Sequence, residues 1–413
     1  MSSIEKKKEL KLKEILESFL GGKEIFEFSE RLLRKPLMSS LRLNLKDQNQ
    51  IEFQIEDELK FRSEIKLLIT FAKSKLDKKK FIELLFALSQ LTITLREFSL
   101  AIDVYEKILE ETENDVNYLN IYANAYLALG DIFFRQAHWK KSFVNIKKAY
   151  SLFKKQNDQK GLAICGNLFA KIYSETGKLI KAKSHAEKGL SLLEKKEFFH
   201  SAEIAEGLGA INNIQGNYAA ALSYYQKALF NFQKLKDHKR IAETRHHIGM
   251  LYIKLNKYES AINQFNQCIS ISTRIDYLSA LGTAYAGKAY LYTRLHDFSL
   301  ASAFGDKAME ICYRTNDKLS IAETYKVKGI IQRHLSNYET CESYLLTSLR
   351  INKELGNKLN QAETSFELAL LYKETGKIEE SKSYFVNAVR YFRKINAPNE
   401  VEFIQSTVSQ LIS

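Results

Sequence analysis

The chain repeats itself at a step of forty residues, and that step limits the architectures open to it more than any single motif. Aligned on one another, residues 163–190 read AICGNLFAKIYSETGKLIKAKSHAEKGL, residues 202–229 AEIAEGLGAINNIQGNYAAALSYYQKAL and residues 362–389 AETSFELALLYKETGKIEESKSYFVNAV. A small residue fills the eighth place of seven such units, at Gly130, Ala170, Gly209, Gly249, Ala289, Gly329 and Ala369, separated by 40, 39, 40, 40, 40 and 40 residues. A unit of this length cannot bury its apolar face alone and must stack on its neighbours, so the period predicts an array of helical hairpins.

Each unit carries the pattern of two helices. Places 7, 8 and 11 share a face at about 100° per residue, as in Phe169, Ala170 and Tyr173. The second helix answers with small residues at places 20 and 27, such as Ala221 and Ala228 or Ala301 and Ala308, and a bulky one at place 24, Tyr225 or Phe265. The small eighth place is where the second helix is expected to approach closely. Gly177, Gly216, Asn256, His296, Ser336 and Gly376 fall between the helices of their units, where a left-handed C-terminal residue is needed. Asp158, Asp237, Asp317 and Asn357 stand between units as side-chain caps for the helix that follows. Both prolines, Pro36 and Pro398, lie outside the array.

The series small, Tyr, aromatic, small, aromatic, seen in Gly249, Tyr252, Tyr258, Ala261 and Phe265, resembles the tetratricopeptide repeat. It is most similar to the long variety of Pins-type spindle-orientation scaffolds, kinesin light chains and Rap-type bacterial regulators. The resemblance covers residues 123–395, and a degenerate eighth unit precedes it, with Ser89, Phe98, Ala101, Tyr105 and Ile108 in register. It implies an all-α fold, a right-handed α-solenoid of about eight helix-turn-helix repeats, placed at residues 81–397.

The flanks follow other patterns. Residues 4–20 read as an amphipathic helix with Ile4, Leu12, Ile15, Leu16 and Leu20 to one side, ended by Gly21 and Gly22. LRLNLKDQNQIEFQIE at 41–56 alternates strictly, which predicts a β-hairpin. Residues 1–80 are therefore expected to be a separate cap or effector segment of a helix and a hairpin. Val401, Ile404, Val408 and Leu411 form a helical stripe after Pro398, predicting a capping helix over 398–413.

Composition excludes more than it proposes. The eight histidines show no metal-ligand spacing, and the adjacent His246 and His247 point about 100° apart on a helix. Gly21-Gly22 lacks the spaced glycines and Lys-Ser ending of a phosphate loop, and no nucleophile elbow occurs. No catalytic residue, cofactor or metal is expected, and the chain reads as a non-enzyme. Cys165, Cys268, Cys312 and Cys341 have no paired spacing and read as reduced packing residues. No signal sequence or run of eighteen apolar residues is present, so a cytoplasmic protein without membrane insertion is expected. The net charge of +13 is spread over the units, with no aromatic and basic pair recurring at a fixed place as a base-reading array would require. An RNA-binding solenoid is thus the weakest of three readings.

What remains is binding. In such a stack places 2, 5, 9 and 12 of the first helices face inward. They give a candidate peptide groove of Asn124, Asp131, Asn167, Lys171, Glu206, Asn213, His246, Met250, Tyr290, Lys326, Arg333 and Lys373, with Arg294 at the rim. The series runs from polar and acidic, through apolar, to basic, which predicts a protein or peptide partner whose acidic part lies over Lys326, Arg333 and Lys373. The resemblance implies a protein–protein interaction scaffold or adaptor. The alternative is a Rap-like, peptide-sensing signalling regulator whose N-terminal segment acts on a target; the hairpin text at 41–56 counts against it, because it does not read as a three-helix bundle. The asparagine that precedes the Leu-Gly pair in Pins-type units is replaced by Gly207, His247 and Lys328, so the backbone contacts of those scaffolds do not carry over. Oligomeric state, partner identity and whether residues 1–80 block the groove are left open by the sequence.

Overall fold

The structure, a computed structural model, describes residues 3–34, 49–95, 97–113, 115–315 and 317–409. The chain divides into two compact units, Met1–Gly161 and Leu162–Ser413, and the described residues of both are helical, with no strand among them.

The first unit holds α1 (Ser3–Phe19), α2 (Gly22–Arg34), α3 (Asn49–Lys75), α4 (Lys78–Thr94), α5 (Phe98–Thr112), α6 (Leu119–Arg135) and α7 (Trp139–Gln156). One apolar core joins α1 through α6: Leu20 and Phe28 meet Phe61, Ile65, Leu68 and Phe71, and these continue into Leu84, Leu85, Leu88, Val104 and Tyr105. The Phe28 and Phe71 rings lie 5.5 Å apart, and the Lys75 ammonium pairs with Glu27 at 2.8 Å, fastening α2 to α3. Ser89, Ala101, Tyr105 and Ile108 of the degenerate unit are buried on the paired helices α4 and α5.

The hairpin expected at 41–56 is corrected here. Residues 49–56 are the start of the 27-residue helix α3, while 41–48 lie outside the described residues. The misreading has a simple cause. Ile51 and Ile55 are four apart, a spacing common to strand alternation and to one helical face, and the run Phe61, Ile65, Leu68, Ala72 that follows is helical only.

The second unit takes up α8 (Gln159–Glu175) from Leu162 onward and continues with α9 (Leu179–Ser191), α10 (Phe198–Ile214), α11 (Tyr218–Lys234), α12 (His238–Lys254), α13 (Tyr258–Arg274), α14 (Leu278–Arg294), α15 (Phe298–Thr315), α16 (Lys318–His334), α17 (Tyr338–Glu354), α18 (Lys358–Glu374), α19 (Ile378–Lys394) and α20 (Pro398–Ser409). Successive helices pack as hairpins from α10·α11 to α18·α19, and first helices also meet across repeats, as in α12·α14 and α14·α16.

The small eighth place does what its size predicts. A Cβ on Gly209 would stand 2.7 Å from the Tyr225 ring, on Gly249 2.7 Å from Phe265, and on Gly329 2.7 Å from Leu345. In each case the neighbour is place 24 of the same unit, so the bulky residue of the second helix lies against bare backbone of the first. Asn256, His296 and Ser336 take φ of 56°, 60° and 59°, as the interhelix turns require. Asp237 and Asn357 accept from the Arg240 and Asn360 amides at 3.1 Å, and Asp317 from Leu319 and Ser320 at 3.1 and 3.2 Å, capping the helices that follow.

Within this unit the first and last repeats meet. Leu179, Ala182 and Ile211 share one buried cluster with Phe366 and Leu370 of α18, Phe392 of α19 and Ile404 of α20. Tyr173 and Ile214 pack against it.

Candidate functional site

In the first unit, Asn124 and Asp131 lie on α6 and are engaged locally. The Asn124 amide donates to the Asn120 carbonyl at 2.9 Å, and Asp131 holds Arg135 at 2.8 Å.

The second unit places the remaining candidates on its first helices. Lys171, Glu206 and their neighbours surround Arg240, which faces three carboxylates: Glu203 and Glu243 at 3.1 Å and Glu206 at 3.6 Å. Thr244 Oγ1 donates to Glu206 at 3.1 Å, Tyr277 Oη to Glu243 at 2.5 Å, and Lys171 stands 3.9 Å from Glu203. Burial works against the Glu203 charge, yet His200, Lys171 and Arg240 hold its carboxyl below the ordinary range. The cluster is thus an internally braced patch of acid.

Beside it, polar atoms lack partners. The Asn213 Oδ1 and His246 Nδ1 atoms are buried without a hydrogen bond, and Asn167 is itself buried. The His246 ring lies 5.8 Å from Phe265 and 5.6 Å from His247, and burial drives its pKa down to about 3, so it is a neutral imidazole at physiological pH. Met250 follows one turn on and packs against the cluster of Ile253, Phe265 and Leu291. An amide oxygen and a neutral imidazole with spare capacity are what a peptide backbone can satisfy.

Further along, the cations are already spoken for. Lys326, buried, pairs with Glu363 at 2.5 Å and Glu323 at 2.9 Å. Burial pushes its pKa down, but the two carboxylates outweigh that and keep it protonated. Arg333 donates to Glu374 at 2.5 Å and Glu367 at 3.3 Å. Tyr290 is held in its phenol form by burial, and Arg294 faces the Tyr258 and Tyr290 hydroxyls. Lys373 differs: its Nζ is buried with no hydrogen-bond partner. An acidic segment binding Lys326 and Arg333 would have to displace their carboxylates, and breaking a buried pair of this kind costs about 3–5 kcal/mol.

Glu206 apart, the carboxylates that brace this face are absent from the sequence-derived candidates, although a signal exists. Ala202-Glu203, Ala242-Glu243, Ala322-Glu323 and Ala362-Glu363 put a glutamate at place 2 of four units. Each takes a cation or hydroxyl from its own or the neighbouring first helix. The four cysteines are buried, and burial raises the thiols of Cys268 and Cys341 to about 11 and about 12, which makes them poor nucleophiles. Among the described residues no helix is long and apolar enough to cross a membrane.

Comparison with known proteins adds to this geometry. The tetratricopeptide repeat family models match residues 200–274 and 362–394. Among solved structures the chain is similar to a Rap protein complexed with competence and sporulation factor, with a TM-score of 0.61 and 12% identity over 84% of this chain and 99% of that one. It is also similar to aspartyl phosphate phosphatase F from Bacillus subtilis, with a TM-score of 0.59 and 15% identity over 91% and 94%. The Rap conjugation gene regulator of the plasmid pLS20, in complex with a Phr peptide, gives 0.58 and 15% over 86% and 96%. At such identities the likeness is one of fold. No curated protein matches by sequence.

Proposed function

We propose that this chain, a tetratricopeptide-repeat protein, is a non-enzymatic, peptide-sensing regulator that takes an extended peptide segment along the inner faces of α8, α10, α12 and α14. The observation that carries the reading is the group of unpartnered polar atoms on that face, Asn213 Oδ1 and His246 Nδ1, beside the half-buried apolar side chain of Met250. A peptide backbone supplies the N–H groups that Asn213 and His246 lack, and the side chains between them supply apolar contact.

Of the two protein-binding readings, the regulator is favoured over the passive adaptor. The objection to it is the expected hairpin, and residues 49–56 are instead the start of α3, a helix that packs with α2 and α4 in the first unit. A structurally similar Rap protein is described with a Phr peptide bound, which agrees with a peptide as ligand. The paired state of Lys326 and Arg333 favours a peptide that is neutral or basic where it meets the acid patch around Glu203, Glu206 and Glu243, with at most a single carboxylate, at Lys373.

The test is selection of binders from a random peptide display library on the full-length protein, followed by titration calorimetry with Asn213→Ala and His246→Ala. A selected peptide should lose at least tenfold in affinity in each variant. Peptides that bind both variants as they bind the parent would refute the placement of the groove.

A further inference from the structure

The last helix of the second unit does not simply continue the stack. α20 leaves α19 through Ile395–Ala397, where Asn396 takes a left-handed φ of 59°, and runs back to the ends of α10, α11 and α12. Pro398 opens it, at the position where a missing amide is least felt. Asn399 donates to the Gly216 carbonyl at 3.3 Å. Glu400 Oε1 accepts from Tyr218 Oη at 3.2 Å and from Lys254 Nζ at 3.0 Å. Ile404 is buried, and the Phe403 ring stands 6.1 Å from Phe366 on the inner face of α18. These partners lie 146 to 183 residues away along the chain for the Glu400 and Asn399 contacts, so the helix bridges the second and third repeats of its unit to the last.

The bridge is made differently from the repeat interiors. Phe403 remains 54% exposed although it faces an aromatic neighbour, and an open cavity of about 530 Å³ is left beside the helix, bounded by Ile180, Gln215, Arg393, Val401 and Gln405. Repeat interiors leave no room even for a methyl group, as Gly209 and Gly249 demonstrate. The contact also carries an ion pair: the Glu400 carboxylate, largely covered, faces the partly exposed Lys254 ammonium at 3.0 Å.

We propose that α20 is a detachable latch, a short amphipathic helix docked in cis against the early and the last repeats of the second unit, with Glu400 as its clasp on Lys254 and Tyr218. Release exposes Phe366 and Leu370 on the inner face of α18, leaves Lys254 without its counter-charge, and separates the repeats that α20 bridges. This holds whether or not the groove takes an external peptide, since the occupant tested is the chain's own segment.

Hydrogen–deuterium exchange on the full-length protein tests it without any variant. The α20 amides should exchange at least a hundredfold faster than those of α16 and α17, by an opening that leaves those helices closed. Glu400→Lys should speed α20 exchange a further tenfold or more. It should also let a fluorescein-labelled peptide of residues 396–409 bind at least tenfold more tightly than it binds the parent, read by anisotropy. The charge swap Glu400→Lys with Lys254→Glu should restore both values. Exchange of α20 only together with α16 and α17, or equal binding of the labelled peptide to parent and Glu400→Lys, would make α20 a fixed cap and overturn the proposal.

Discussion

The Phe265 ring offers a sharp test of the packing argument. It is fully buried on α13, and its edge lies between two glycines: a Cβ on Gly249 of α12 would stand 2.7 Å from Cε1, and a Cβ on Gly287 of α14 2.6 Å from the same atom. Carbon atoms prefer about 3.5–4.0 Å, so either methyl group intrudes by roughly 0.8 Å or more. The ring has no free side to retreat to. Gly249→Ala therefore sets two effects against each other. Helix propensity favours alanine by about 0.8–1.0 kcal/mol, while overpacking a filled core costs about 1–3 kcal/mol, and the second clamp puts this site at the upper end. The net expectation is a destabilisation of about 1–2 kcal/mol, read as a lowered urea midpoint by circular dichroism. Adding Phe265→Leu, which removes the ring edge, should make the alanine neutral or favourable, so the two changes are non-additive. A Gly249→Ala variant more stable than the parent would refute the claim that the small eighth place exists for close approach.

Further expectations follow from the inner face. Lys326→Met should destabilise by about 3–5 kcal/mol, because Glu323 and Glu363 are left facing each other without their cation, and the urea midpoint with Glu363→Gln added should recover part of the loss. His246 has its pKa depressed from 6.5 to about 3 in the folded state, so the unfolded chain binds the extra proton. Its stabilising contribution is complete above about pH 6.5 and falls by about 1.4 kcal/mol per pH unit as pH drops towards 3. Burial depresses His185 and His334 in the same direction. Urea midpoints at pH 7, 6 and 5 should therefore decline in the parent and decline less in His246→Leu, and equal slopes would contradict the buried neutral imidazole.

How much of this was legible in the sequence depends on how far apart the cooperating residues lie. Repeat period, turns and caps are local, set within a few residues, and Asn256, Ser336, Asp237 and Asn357 take the roles their chemistry predicts. The α3 start was misread because one short stretch satisfies two periods at once. The candidate groove was located by place number, but its electrostatics were not: Lys326 meets Glu363 and Arg240 meets Glu203 at separations of 37 residues, and Arg333 meets Glu374 at 41. Those contacts need the offset between neighbouring first helices, which the period alone does not give. The bridge from Glu400 to Lys254 and Tyr218 depends on how curvature accumulates over five repeats, and no pairwise pattern in the sequence encodes it.

The most direct test of the central claim is to place a photo-crosslinking amino acid at Met250, on the proposed groove, and separately at Phe230, exposed on the second helix α11 of its repeat. Each labelled full-length protein is then irradiated with a peptide selected as above. A peptide adduct at Met250 that unlabelled peptide competes away, with none at Phe230, is the expected result. Adducts at Phe230 and not at Met250 would place binding on the outer surface and contradict the account.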